Sequence, residues 1–324
     1  MVHILMVSKW HVHAEGYAKA VAAEENAQIT CVWDEDAARG KAWAQELGVP
    51  FEPDYATALA RQDVDAVIIE TATSEHKEVM IAAANAGKHI FTEKAMALTV
   101  ADCKAIAQAV TENNVKFCIS HPSITAPHIQ YCKQLLESGA LGHIHYMRMR
   151  TAHDGSSRDW LPKYWYDAEK AGGGAMMDLG CHPMYVAAYL LGKPVRIASM
   201  FNNSFAPGNV DDNAVSVVEF ENKAIAVLET SFISPLSPTS FELLGTTGAI
   251  LWQDGKVRVR TAKDEDGWVI LDKLPDALPT AMQMWLRGIE QGTPILFDVT
   301  RGIALTELLE NAYRSDREQT IVAI

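Results

Sequence analysis

Apolar and polar positions along the first 120 residues alternate between two periods. Short β-branched runs mark strands at HILMVS (3 to 8), AQITCVW (27 to 33), VDAVIIET (64 to 71), HIFTE (89 to 93) and KFCIS (116 to 120). Between them lie stretches of about 10 to 15 residues with helical spacing. Two of these, DEDAARGKAWAQELG and SEHKEVMIAAANAG, close on Gly48 and Gly87 directly before the chain turns toward a strand. Strands that alternate with helices in this way build βαβ units and a parallel sheet. Residues 1–121 are therefore expected to form a doubly wound, Rossmann-type dinucleotide-binding domain.

From about residue 122 the texture changes. ITAPHIQYCKQLLESGALG has helical spacing, HIHYMRMRTAH alternates as a strand, and GSSRDWLPKYWYD is irregular and aromatic. A helix over 175–191 precedes the β runs RIASMFNNS, AVSVVEFEN, KAIAVLETSFI, FELLGTTGAILWQ and KVRVRTA. Hairpin-like turns fall at Glu221 to Lys223 and Gly245 to Gly248. The expected whole is α/β, with a C-terminal α+β domain over 122–324 built on a large open, mostly antiparallel sheet. One face of that sheet would take the 175–191 helix. Apolar residues such as Val215, Val217, Val218 and Phe220 would then be buried by association into a homodimer or homotetramer. Helical spacing resumes at 279–291 and 299–314, where the C-terminal helix can pack back on the first domain.

Length agrees with two domains, since 324 residues exceed what one core usually organises. A net charge of -13 without basic runs argues against nucleic acid and anionic membrane as partners and leaves small molecules. Cys31, Cys103, Cys118, Cys132 and Cys181 show no CxxC spacing and fit the reduced thiols of a cytoplasmic protein. No metal site is expected. The apolar part of MVHILMVSKW is too short for a signal peptide, and no segment approaches the roughly 20 apolar residues of a spanning helix.

Open α/β sheets bind ligands beyond the C-terminal ends of their strands. After the first strand, where GxGxxG is usual, this chain reads VSKWHVHAEG, with only Gly16 at the far end. Ser8 can make the tight turn and donate to a phosphate, and the next helix offers its N–H groups. Trp10, His11 and His13 occupy space beside a cofactor. Asp34 ends the second strand, where a carboxylate accepts ribose hydroxyls and repels a 2′-phosphate, which favours NAD over NADP. Its alternative role is N-cap of the helix that DEDAARG opens. Thr71, Thr73 and Ser74 are placed to flank the nicotinamide ribose, although capping explains Thr73 or Ser74 equally well. Glu93 and Lys94 end a strand that should be buried on both sides. A lysine there can move protons or hold an oxygen, or simply pair with Glu93 or Asp178.

In GGGAMMDLGCHP, Asp178 and His182 stand at i and i+4 on one helical face, as an acid/base pair or as a structural anchor and a satisfied histidine. The segment 153–166 supplies His153, Asp154, Arg158, Trp160, Lys163 and Trp165. Aromatic faces and polar groups of this kind suit a sugar ring, and loop packing is the alternative account.

FTEKAMAL, LLESGALGHIHYMRMR, GGGAMMDLGCHPMYVAAYLLG and AYRSDREQTIVAI together give the sequence its resemblance, over essentially the whole chain, to the Gfo/Idh/MocA oxidoreductase family, the glucose-fructose oxidoreductase and inositol dehydrogenase group. The resemblance implies NAD-dependent hydride transfer to or from a secondary alcohol or carbonyl of a sugar, polyol or cyclitol. It makes Lys94 the lysine between nicotinamide and substrate, Asp178 a substrate-binding and lysine-orienting carboxylate, and His182 the acid/base. Cofactor-side candidates are Ser8, Trp10, His11, Asp34, Thr71, Thr73, His76, Glu93 and Lys94. Substrate-side candidates are His121, His153, Asp154, Arg158, Trp160, Trp165, Asp178 and Tyr185. The three glycines would let backbone pass close to the ligand. Departures from the family pattern are the SKWHVHAEG turn, Ala95 for the proline of EKP, Tyr185 for an aspartate, and SHPSI where an arginine or asparagine is frequent. Redox-neutral glycoside cleavage through transient NAD reduction, and ligand sensing without catalysis, are the competing functions.

Overall fold

The structure is a computed structural model that describes residues 1–236, 239–264 and 266–324. Two compact units emerge, 1–120 with 279–306, and 121–278 with 307–324.

The first unit alternates β1 (Val2–Val7), α1 (Ala14–Ala22), β2 (Ala27–Trp33), α2 (Ala37–Leu47), α3 (Tyr55–Ala60), β3 (Ala66–Ile69), α4 (His76–Asn85), β4 (His89–Thr92), α5 (Val100–Glu112) and β5 (Phe117–Ile119). Its five strands are all parallel, in the order β2-β1-β3-β4-β5. β1 and β3 are buried nearly throughout, which is why they read as continuous apolar runs. α2 starts at Asp36, whose side chain accepts the N–H groups of Ala38 and Arg39, and stops at Gly48 with φ of 69°. The cap is therefore Asp36, and Asp34 is left for another role. Successive strands first add on one side of β1 and then on the other. The loops after β1 and β3 thus flank the crevice where such sheets bind ligands.

The second unit begins with α6 (Pro122–Thr125) and α7 (Pro127–Glu137). One helix was expected over this stretch. Pro127 divides it, because the residue before a proline is pushed out of helical geometry, and Ala126 has ψ of 138°. There follow β6 (Ile144–Ala152), α8 (Ala168–Ala171), α9 (Cys181–Leu191), β7 (Pro194–Asn202), β8 (Asn213–Phe220), β9 (Ile225–Ser231), β10 (Thr239–Gly245), β11 (Gly248–Gln253), β12 (Lys256–Thr261) and β13 (Val269–Ile270). After them come α10 (Ala281–Gln291), α11 (Val299–Glu318) and β14 (Val322–Ala323). α10 belongs to the first unit, where Trp285 packs on Phe91, and it opens on a Thr280/Gln283 capping box.

The large sheet runs β13-β12-β11-β10-β6-β9-β8-β7-β14, with β6 and β9 parallel and the other neighbours antiparallel. α9 packs on β6 and β9. Met147, Met149, Ala226, Leu228, Phe241 and Leu243 are buried register neighbours on one face. Val218 and Phe220 are fully buried too, which corrects the expectation that they await a partner. With a side-chain period of two, Val215 and Val217 of β8 point the other way along with Asn213 and Glu219, on the face where Met200 and Ile225 are also exposed. Among the described residues no helix is long and apolar enough to cross a membrane.

Candidate functional site

In the first unit, Ser8 takes the left-handed turn that a glycine usually makes, with φ of 70°. Its Oγ accepts the Trp10 N–H at 3.1 Å and an Arg39 N–H at 3.2 Å. The loop is laced to its neighbours: Lys9 N–H donates to Asp34, and His11 N–H to the Glu70 carbonyl. Trp10 and His11 are buried. Asp34 sits at the end of β2 as expected, but Arg39 grips both its oxygens, Nη2 at 2.7 Å and Nε at 2.9 Å. Arg39 carried no sequence signal beyond lying one helical turn into DEDAARG.

Two glutamates meet at the strand ends. Glu93 Oε1 is 2.8 Å from His13 Nδ1 and also accepts the Tyr17 hydroxyl, which lies 2.6 Å from Ser120 Oγ. Glu93 Oε2 accepts the Lys94 N–H at 2.9 Å. Glu70 is fully buried, makes no hydrogen bond through either oxygen, and lies 3.7 Å from His11 Nδ1. Burial pushes the Glu70 carboxyl well above the usual carboxylate range, and the Glu93 charge adds to that. Burial pulls Glu93 the same way, yet His11, His13 and Lys94 hold it well below that range. The two environments therefore push the two carboxyls in opposite directions.

Lys94 is buried and its peptide to Ala95 is cis. The buried ring of His76 lies between the carbonyls of Ala95, 2.9 Å from Nδ1, and Thr71, 3.2 Å from Nε2, and so fixes the Lys94–Ala95 turn. No side chain caps α4 or the short turn Thr73–Glu75 before it, which removes the capping account of Thr73 and Ser74. Thr71 Oγ1 is buried without a hydrogen-bond partner at the end of β3. A left-handed Ser8 turn, Asp34 closing β2 and this orphaned hydroxyl fit a dinucleotide laid along the strand ends.

In the second unit the glycines have a structural cause. Gly172 ends α8 with φ of 82°. A Cβ on Gly174 would overlap the Asp211 carbonyl oxygen, and one on Gly173 would overlap the Tyr313 hydroxyl. Asp211 accepts the N–H groups of Gly174 (2.9 Å) and Met176 (2.7 Å) and the Tyr313 hydroxyl (2.8 Å). The chain here passes close to Asp211 and Tyr313, which gives Gly173 and Gly174 a packing cause of their own. Met176–Gly180 is a π-helical turn, so Asp178 and His182 are not stacked as an ideal α-helix would stack them. Both are half-buried.

His182 Nδ1 lies 2.7 Å from the Tyr185 hydroxyl, which donates to Ser123 Oγ at 2.8 Å and accepts the Ser123 N–H at 3.1 Å. With the phenol proton on Ser123, Nδ1–H donates to the phenol oxygen, and this assignment makes Nε2 the basic nitrogen. Tyr185 is buried, so it orients His182 where the sequence suggested a substrate contact. His121 is buried as well, stacked on Tyr185 at 4.3 Å. The irregular segment holds itself together. Asp154 takes the Trp160 indole N–H at 2.8 Å and Arg158 Nε at 2.9 Å, while His153 stacks on Phe232. Trp165 is buried, whereas Trp160 is 53% exposed and offers an aromatic face.

Residues 12–121 match the family model described as oxidoreductase family, NAD-binding Rossmann fold, and 129–251 match the GFO/IDH/MocA C-terminal domain. The chain is similar to scyllo-inositol 2-dehydrogenase (NAD(+)) of Bacillus subtilis, 28% identical over 93% of this chain and 91% of that one. It is equally similar, at 28% over 82% of this chain and 81% of the other, to the uncharacterized oxidoreductase YrbE of the same organism. A levoglucosan dehydrogenase structure in complex with NADH and levoglucosan shares the fold, with a TM-score of 0.88, 21% identity and coverage of 100% and 99%. The chain belongs to the Gfo/Idh/MocA family of oxidoreductases. Its first unit is an NAD-binding Rossmann domain and the protein is an enzyme of the dehydrogenase/reductase type.

Proposed function

We propose that the protein transfers a hydride between nicotinamide and a secondary alcohol or carbonyl carbon of a sugar, polyol or cyclitol. The observation that carries this is His182, whose Nδ1 is held 2.7 Å from the Tyr185 hydroxyl. Hydride leaves the carbon of an alcohol only as its hydroxyl proton departs, so a neutral imidazole must take that proton at Nε2 and return it in the reverse direction. The nicotinamide, when bound, supplies the hydride acceptor or donor. Lys94 is assigned the ammonium that steadies the reacting oxygen. Asp178 is assigned the carboxylate that grips a neighbouring hydroxyl.

The position of Asp34 supports NAD as the preferred dinucleotide, with Arg39 beside it as the group that would favour a 2′-phosphate. Exposed Met200, Val215, Val217 and Ile225 support a homo-oligomer through the outer face of the sheet. Five buried cysteines without CxxC spacing support a cytoplasmic setting.

The test is an NADH absorbance screen of the purified protein with NAD and a panel of free sugars, polyols and cyclitols. Single-turnover transfer and melting temperature are then measured on His182→Ala. Net NADH should form, and the variant should turn over about 10² to 10⁴ times more slowly with NAD affinity unchanged. Near-normal transfer in a folded variant would overturn the assignment. Cleavage of glycosides without net NADH would replace it with the redox-neutral reaction.

A further inference from the structure

We propose that His11, His13 and Glu93 form a binding site for one divalent transition-metal ion of the zinc class. One ligand atom from each of the three residues lies within 4.8 Å of the others. The elements that bring them together are fixed. His11 and His13 flank Val12 in the loop after β1, their rings 4.7 Å apart, and Glu93 closes β4. Two imidazoles and a carboxylate are a donor set that zinc uses with a fourth position open, and imidazole nitrogen selects such ions over magnesium or calcium. The sequence concealed this because its only metal signal, cysteine spacing, was absent.

A second observation points the same way. Glu70 is fully buried, and neither of its oxygens makes a hydrogen bond, although buried polar groups almost always do. It lies 3.7 Å from His11 Nδ1, in place to serve as fourth ligand or to orient the His11 ring from behind. Tyr17, on the Glu93 oxygen that also meets His13, is the outer partner that fixes the carboxylate. An ion has a way in, because the His13 side chain is 50% exposed while Glu93 is buried.

The experiment uses the full chain, stripped with a chelator and dialysed without NAD. It is titrated calorimetrically with Zn²⁺ and, separately, followed by visible absorption with Co²⁺. One ion per chain should bind with release of protons and a rise in melting temperature, and Mg²⁺ should not substitute. Bound Co²⁺ should show the intense visible bands of a low-coordinate nitrogen and oxygen site. His13→Ala should weaken Zn²⁺ at least about 100-fold, since even outer-shell changes cost about 10 to 100-fold. His143→Ala should bind as the parent does. No uptake by the parent chain, or His13→Ala within threefold of it, would reduce the cluster to a hydrogen-bonded relay. Co²⁺ bound without those bands would overturn the site even if the variants failed to fold.

Discussion

Two stretches of the chain stand where the family pattern has glycines, and they differ in what replaced them. After β1, GxGxxG has become Ser8, Trp10 and His13 at the three glycine positions. At 172–174 all three glycines remain. Ser8 shows how the first could change: a left-handed residue costs about 1–2 kcal/mol outside glycine, and its Oγ offsets this by bonding Trp10 and Arg39. Gly174 has no such escape, because what it lacks is space beside the Asp211 backbone. A glycine kept for its torsion can be exchanged for a side chain that bonds. A glycine kept for close approach cannot.

The largest effect should come from Gly174→Ala, since the added carbon meets the Asp211 carbonyl, which accepts the Ala175 N–H, while Met176 N–H and the Tyr313 hydroxyl hold the Asp211 carboxylate. A loss of about 3 kcal/mol or more in urea unfolding is expected. A loss below about 1 kcal/mol would break the distinction drawn between the two stretches.

Tyr185→Phe probes what the retained glycines position. The ring stack on His121 survives while the hydroxyl on His182 Nδ1 is lost. Turnover should fall about fivefold, the equivalent of one hydrogen bond of about 1 kcal/mol to His182, with NAD affinity nearly unchanged and the melting temperature lowered by the lost bonds to Ser123. The pH profile of turnover should move as well, because the tautomer is no longer fixed. Unaltered turnover with an unaltered profile would remove Tyr185 from any positioning role.

Most of the fold was legible because long periodic segments announce themselves. β2 at Ala27–Trp33 coincides with its apolar run, and the other strands of the first unit fall within theirs or shift by a residue at an end. α3, six residues long, was too short to show a period, and the π turn at Met176–Gly180 has no pattern of its own. Lys94, Asp178 and His182 stood out because they interrupt apolar runs. The residues that set their surroundings did not, since each is defined by a contact far along the chain. Ser123 meets Tyr185 across 62 residues, and Tyr313 meets Asp211 across 102. Glu70 alone left a trace: like Glu93, it is a charge closing the apolar run VDAVIIE.

The smallest effect belongs to Ser8, and it sharpens the comparison most because its parts oppose. Ser8→Gly relieves the left-handed backbone by about 1–2 kcal/mol, gives up two hydrogen bonds of about 0.5–1.5 kcal/mol each, and loosens the unfolded chain by about 0.5–1 kcal/mol. The sum is a destabilisation of about 1 kcal/mol, readable as a small shift in urea midpoint. Ser8→Ala keeps the strain and loses the same bonds, so it should cost about 1 kcal/mol more than Ser8→Gly once the gain in chain stiffness is included. If alanine is the better tolerated of the two, backbone torsion does not matter at this turn, and the hydroxyl alone explains why serine stands there.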